Sequence, residues 1–321
     1  MKRVVARSVF SLVLAAILGS LVVFGMLRTI GGDVALIILG QEAAPGAYDA
    51  LRESLGLDRP WYVQYVEWLG GVFTGDLGAS YAARFDIFDE ILRRLGPTTL
   101  LAFGSLLISA PLALILGTYS AIQVKKVRGG IVDVFSQIGI AIPSFWAGLL
   151  MVVVFGIYFD WLPTGGYTSP FDDPWRSLQQ MIMPVLALSL GITSVLTRYV
   201  RSAMLDVMGE DFIRTARAKG RTRRKAALVH GVRNASVSLV TVGTLQLGSL
   251  MAGTVVIENV FVIPGIGRLL VTSVLAREVI VVQSLILVIL LMILVMNFLM
   301  DIAYVLIDPR IRDSQGGEAV V

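Results

Sequence analysis

The side chains able to do chemistry are few and gathered in one place. From position 198 onward the sequence reaches Glu210-Asp211-Phe212-Ile213-Arg214-Thr215-Ala216-Arg217-Ala218-Lys219-Gly220, continues Arg221-Thr222-Arg223-Arg224-Lys225, and ends Arg233-Asn234-Ala235. Good helix formers dominate from Asp211 to Lys219. The acids Glu210 and Asp211 stand where the helix dipole favours negative charge, cations gather toward the other end, and Gly220 supplies a stop. The pattern predicts a single short helix. Phe212 and Ala216 fall four residues apart on one face, so a large apolar side chain can enter a pocket while small neighbours permit close approach. This is contact chemistry, suited to docking a partner rather than making bonds. Anchoring to anionic lipid heads by Arg221 to Lys225 is an alternative, and nucleic-acid binding a third. Neither accounts for the order acid, Phe, small residues, Gly.

Bond-making chemistry is missing. No Gly-x-x-x-x-Gly-Lys-Ser/Thr occurs to cradle a phosphate, and no His-Glu-x-x-His occurs to hold zinc. With no cysteine and one histidine, disulfides, thiolate sites, cysteine nucleophiles and histidine metal clusters are excluded. The chain is therefore expected to be non-catalytic, with no cofactor of its own.

The elements that must carry the basic segment are apolar. Of 321 residues, 56% are hydrophobic and 16% charged, against roughly 25% charged in ordinary soluble domains. Uncharged stretches long enough to cross a bilayer, about 20 residues, occur at 8–27, 95–124, 134–159, 177–197, 235–257 and 279–300. An all-α polytopic membrane protein with six transmembrane helices is expected. These stretches hold no paired carboxylates for an intramembrane protease and no ionisable groups of the kind that ion-coupled transporters place at depth. Energy must come from outside the chain.

Orientation follows from lysine and arginine. With the N-terminus inside, the cytoplasmic segments hold Lys2, Arg3, Arg7, Lys125, Lys126, Arg128, ten cations in 198–233, Arg310 and Arg312, making 18 of 27. Both termini are expected in the cytoplasm. The first apolar run is longer than a signal-peptide core and reads as an uncleaved span.

The expected organisation is a cytoplasmic N-terminus 1–7, a first span 8–27, an extracytoplasmic loop 28–94, a five-helix core 95–309 with a cytoplasmic loop at 206–234, and a cytoplasmic tail 310–321. In the long loop, Trp61-Tyr62-Val63-Gln64-Tyr65-Val66-Glu67-Trp68 reads as an interfacial helix and Gly75-Asp76-Leu77-Gly78 as a turn. Asp86 to Arg94 reads as a separate amphipathic helix lying along the outer face, with Pro97 opening the second span. The stretches 160–176 and 258–278 read as external loops, and 313–321 as disordered. Glycines and prolines within the spans allow close packing and movement.

The basic segment, followed by His230 and Arg233-Asn234-Ala235, resembles the cytoplasmic coupling loop of binding-protein-dependent ABC permeases, specifically the B-type subunit of peptide importers. The resemblance covers nearly the whole chain in order: Leu55-Gly56-Leu57-Asp58-Arg59-Pro60, Gly75-Asp76-Leu77-Gly78, Pro97-Thr98-Thr99-Leu100, Ile142-Pro143-Ser144-Phe145-Trp146, Leu162-Pro163-Thr164-Gly165-Gly166, Glu258-Asn259-Val260-Phe261, Pro264-Gly265-Ile266-Gly267 and Asp308-Pro309-Arg310-Ile311-Arg312. It departs at Arg214-Thr215-Ala216, where the general motif begins Glu-Ala-Ala, at Ser238, where proline is usual, and at Gly31-Gly32-Asp33-Val34.

The resemblance implies a type I ABC importer permease fold in the bacterial cytoplasmic membrane. It implies pairing with a second homologous permease, delivery from an extracytoplasmic substrate-binding protein, and two cytoplasmic ATPase domains that bind ATP and Mg. Membrane lipids are further partners; nucleic acid is not. The docking helix would use Asp211, Phe212, Ile213, Arg214, Thr215, Ala216, Arg217, Lys219 and Gly220. Spans three to five would line the pathway, and 160–176 and 258–278 would meet the binding protein. Peptide is the implied substrate, with nickel, glutathione or another small solute as alternatives. An ion-coupled transporter working without ATP, or a scaffold that copurifies with no ATPase, are the rival classes.

Overall fold

The computed structural model describes residues 2–30, 34–40, 44 and 46–307. Gly31 to Asp33, the tail from Asp308 and the side chains of Arg217, His230, Arg233 and Asn234 lie outside the described set. The architecture is all-helical: α1 (Lys2–Ile30), α2 (Val34–Leu39), α3 (Ala47–Ser54), α4 (Trp61–Thr74), α5 (Ile87–Ile122), α6 (Val127–Ala141), α7 (Ser144–Met151) continued as π-helix Val152–Tyr158, α8 (Pro174–Gly209), α9 (Asp211–Ala218), α10 (Arg223–Ala226), α11 (Val232–Val260), α12 (Ile266–Leu275) and α13 (Val279–Ile307). Five described helices are long and apolar enough to cross a membrane, and the pair α6–α7 makes a sixth crossing if its two arms form one span.

That third span is broken where the sequence reads as one run. Its arms meet at 99° around Ile142-Pro143, because proline steers the residue before it out of the helical region and Ile142 is extended, at ψ 119°. The amphipathic stretch 87–94 is a second correction. It does not lie flat on the outer face but forms the first turns of α5, continuous through Pro97. Ile87 and Ile91 are buried with Ile266, Leu269, Val281 and Leu285 of α12 and α13, so protein takes the apolar face that membrane was expected to cover. The Asp86 carboxylate starts the helix by accepting from the Asp89 amide at 3.0 Å, a standard cap. The helix and turn read at 61–78 are present as α4 and the Gly75 stop, at φ 79°.

The central contact joins α5 to α8, and its stripe explains why. Ser105, Ser109, Ala113, Gly117 and Ala121 recur every fourth residue along α5 and are all buried. Small residues at this interval let backbones approach where lipid supplies little hydrophobic drive. Ser105 donates to the Val185 carbonyl at 3.3 Å and Ser109 to the Ser189 carbonyl at 3.3 Å. At Gly117, an added Cβ would lie 2.7 Å from both the Thr197 carbonyl oxygen and Val200, whereas at Gly191 it would meet nothing. Gly117→Ala is therefore expected to destabilise the chain by about 1–3 kcal/mol through overpacking, and Gly191→Ala to leave the isolated subunit at least as stable. Thermal unfolding of the two variants in detergent makes the comparison.

Candidate functional site

The short helix predicted over 211–219 is present as α9 (Asp211–Ala218), and the end of α8 positions it. Glu210 is extended (φ −69°, ψ 150°), so the chain leaves α8 and restarts with the amides of Ile213 and Arg214 bonded to the Glu210 carbonyl. Ile213 is 2% exposed and Ala216 9%, packed with Val207 from the last turns of α8 and Ala226 of α10. The helix is thus held to its own span by one branched side chain and one small one. Burying that isoleucine is worth roughly 1.5–3 kcal/mol, which ties α9 to α8 as one body.

What α9 turns outward is the complement of that face. Phe212 is 45% exposed, and Asp211, Arg214, Thr215, Ala218 and Lys219 are exposed. Arg214 pairs with Asp211 at 3.1 Å, and the Thr215 hydroxyl donates to the Asp211 carbonyl at 3.0 Å. Of the residues expected to dock a partner, Ile213 and Ala216 contact this chain's own core, while Phe212, Thr215 and Lys219 stand outside it. Phe212 and Ala216 therefore do not present one shared outward surface. Arg217 lies in the helix, its side chain outside the described set.

Gly220 closes the element. Its φ is +87° and an added Cβ would meet nothing, so conformation and not space calls for glycine. The Arg221 amide bonds back to the Ala216 carbonyl at 3.2 Å across it, the long-range bond of a glycine-stopped helix. Thr222 then caps α10 by accepting from the Lys225 amide at 3.3 Å. An added Cβ at Gly231 would sit 2.8 Å from Met204, so the loop returns directly onto α8. The end of α8 and α10 hold the helix between them.

A charged cluster nearby escaped the sequence reading. Arg201 of α8 pairs with Asp133 of α6 at 2.9 Å, and the Ser120 hydroxyl of α5 donates to Asp133 at 2.6 Å. Three spans are joined by one ion pair at the end of the bundle that bears α9. Asp133 and Arg201 lie just beyond the uncharged stretches 134–159 and 177–197, where hydropathy does not reveal that they meet. Partial burial and the shared serine strengthen the pair beyond a surface contact.

At the opposite end, Glu258 corrects the reading of 258–278 as an external loop. It belongs to α11 and is fully buried, receiving the Thr98 hydroxyl at 2.6 Å and the Arg268 amide at 2.8 Å. Thr98 in turn accepts from the Ile266 amide at 2.8 Å, and residues 266–275 are helical. In the 160–176 segment Phe171 is 98% exposed, and Trp161 and Trp175 are exposed with it. The Gly166 amide fastens this segment to the Phe261 carbonyl at 2.8 Å.

Residues 113–313 match the family described as the binding-protein-dependent transport system inner membrane component, and residues 1–102 its N-terminal companion. The chain belongs to this permease family. Similar proteins include a putative peptide transport system permease of Brucella abortus, 37% identical over 309 residues, spanning 96% of this chain and 97% of the relative. A counterpart from Brucella suis is 36% identical over 309 residues, 96% of this chain and 97% of the relative. The glutathione transport system permease of Escherichia coli K12 is 35% identical over 308 residues, 96% of this chain and 98% of the relative. The permease is thus a multi-pass inner-membrane subunit of an ABC importer with the type I fold, and it works with a substrate-binding protein and further subunits.

Proposed function

We propose that this permease imports peptides and takes its driving force through α9. In this reading both termini are cytoplasmic, and α9 sits in a groove of one of two cytoplasmic ATPase domains, which bind the ATP and Mg that this chain has no loop to hold. A second homologous permease completes the pathway, with spans three to five facing it. An extracytoplasmic binding protein delivers substrate against the exposed aromatics of 160–176. ATP binding closes the ATPase domains, α9 moves with them, and the spans rock between inward and outward access. Such coupling needs a contact whose free energy differs between the two states. The carrying observation is the division of α9 into a buried face, Ile213 and Ala216, and an outward face around Phe212, Thr215 and Lys219. The first makes the helix rigid with α8; the second is turned to the surface.

Peptide import is supported by the relatives named as peptide permeases. The relatives named as glutathione permeases support a second reading, itself a small peptide thiol, and uptake assays with both ligands separate them.

The docking reading is tested by crosslinking. The chain has no cysteine, so Thr215→Cys places a unique thiol on it, opposite a cysteine scanned along the ATPase surface. Thr215→Cys is expected to crosslink to the ATPase subunit, with a yield that changes when ATP is bound. A thiol at position 171 is expected to give no such product. Crosslinking from 171 and not from 215 would reverse the orientation and discard the docking role.

A further inference from the structure

Two segments distant in sequence are clasped together at the end of the bundle away from α9. Ser105 of α5 meets Val185 of α8 and Gly117 meets Thr197, so the two helices run parallel and α5 starts at the end where α8 starts. Just before α5 the chain forms a hairpin. Ala79 and Asp86 face each other in an antiparallel bridge, and the Ser80 amide bonds to the Phe85 carbonyl at 3.0 Å. The turn between α12 and α13 fastens this hairpin. Glu278, buried there, accepts from the Ser80 hydroxyl and from the Ala82 amide at 3.1 Å, and the Tyr81 hydroxyl donates to the Arg277 carbonyl.

The clasp presents two arginines, Arg84 and Arg277, both exposed. Each is held at positive φ, 56° and 58°, a conformation that glycine adopts freely and other residues resist. Among the described residues only four that are not glycine do so. Backbone of this kind persists where its surroundings fix it, and it gathers at binding sites. The nearest acids in sequence do not neutralise the pair. Asp86 caps α5 through the Asp89 amide at 3.0 Å, Glu278 is bonded to the hairpin, and neither guanidinium has an ion pair among the described residues. Beside the cations, Val274 and Leu275 are 53% and 79% exposed. Uncovered apolar side chains next to arginine suit a protein partner with acids around an apolar spot.

Height separates this surface from the bilayer. α5 starts at Ile87, but its uncharged stretch starts only at Leu95, so the hairpin stands about 12 Å beyond the apolar layer at about 1.5 Å per residue. Asp89, Glu90, Arg93 and Arg94 occupy the turns between. The first turns of α13 share that level, where Val281 and Leu285 pack with Ile87 and Ile91.

We propose that Arg84 and Arg277, with Val274 and Leu275, dock an acidic patch of the substrate-binding protein, as a second contact beside the 160–176 segment. The assignment rests on the reading that places both termini in the cytoplasm, which puts this end outside. The hairpin leads directly into α5 and Arg277 into α13, so load on this surface reaches two spans without an intervening loop.

The test uses the assembled transporter in nanodiscs, with the substrate-binding protein that stimulates its ATP hydrolysis as the probe. Wild-type affinity is expected to fall as salt is raised. Arg84→Gly with Arg277→Gly is expected to weaken binding about tenfold, as loss of two interfacial charges implies, and to flatten the salt dependence. Because glycine suits both backbones, the same pair is expected to unfold no earlier than wild type. A merely structural role predicts the reverse, lower stability with affinity kept. Arg84→Glu with Arg277→Glu keeps the positive-φ side chains, reverses the charge, and is expected to bind more weakly still. Wild-type affinity in the glycine pair, salt-independent binding by wild type, or a glycine pair that loses anionic lipid but not the binding protein would each overturn the proposal. Orientation is read separately, since the chain has no cysteine. Ala83→Cys is expected to react with an impermeant maleimide added outside intact spheroplasts, and reaction only after lysis would discard the orientation and the docking surface with it.

Discussion

Phe212→Ala is expected to leave the permease folded and inserted, yet to cut substrate-driven uptake at least about tenfold and to weaken recovery of the ATPase subunit. The side chain is half exposed on α9, so truncating it removes little of this chain's own core. At a protein interface, by contrast, an aromatic anchor commonly contributes 2 kcal/mol or more, about thirtyfold in affinity. Ile213→Ala is the necessary companion. Ile213 is buried against Val207 and Ala226, so its truncation costs roughly 2–4 kcal/mol of local packing and frees α9 from α8. The two variants therefore fail differently. Phe212→Ala loses the partner while α9 stays seated; Ile213→Ala can retain the partner, but motion of α9 no longer reaches the span. ATPase copurification and ATP hydrolysis stimulated by the loaded binding protein distinguish the two. Wild-type uptake and stimulation in Phe212→Ala would remove α9 as the point of coupling.

The helix behind that prediction was legible in the residues because everything that makes it is local. Acids at its start, cations toward its end and Gly220 after it fix its bounds, and α9 runs from Asp211 to Ala218, one residue short of the expected Lys219. Which face turns outward was not legible. Spacing alone gives Phe212 and Ala216 a common side, but the chain reversals at Glu210 and Gly220 fold Val207 of α8 and Ala226 of α10 onto Ile213 and Ala216. The same cause separates the other successes from the failures. Five of the six apolar stretches appear as single helices long enough to cross, since lipid demands uncharged length and nothing tertiary. The 99° break in α6–α7 was signalled by Pro143 but not by hydropathy, which is blind to direction. The placement of 87–94 reversed because Ile87 and Ile91 are equally apolar against lipid or against α12 and α13. Glu258 was misplaced for a related reason. A charge usually ends a span, and only the folded turn at Gly265 and Gly267 shows that this one is enclosed.

Removing that enclosed carboxyl gives the largest expected loss of stability. Glu258→Ala strips the acceptor from the Arg268 amide and from the Thr98 hydroxyl, both within 2.8 Å of it, and leaves a void where the side chain was. An unmade buried hydrogen bond costs about 1–3 kcal/mol, and more when a charged group was the partner, so a total near 3–5 kcal/mol is expected. Glu258→Gln is expected to cost less. Its oxygen can face the Arg268 amide while its NH2 turns to Thr98, whose hydroxyl has a second lone pair beside the one used by Ile266. Gly265→Ala is expected to resemble Glu258→Ala without touching the carboxyl, because the added Cβ would stand 2.2–2.4 Å from carboxyl atoms and one of the two must leave. The damage should extend outward. Glu258 is three residues from Phe261, whose carbonyl holds Gly166, so loosening the end of α11 loosens the 160–176 segment as well. Tryptophan fluorescence during detergent denaturation reads the first effect, and faster proteolysis within 160–176 reads the second. If Glu258→Ala unfolds at the wild-type midpoint, the carboxyl is not what binds α5, α11 and α12 together, and the apolar contacts of Ile87, Ile266 and Leu269 must hold that end of the bundle alone.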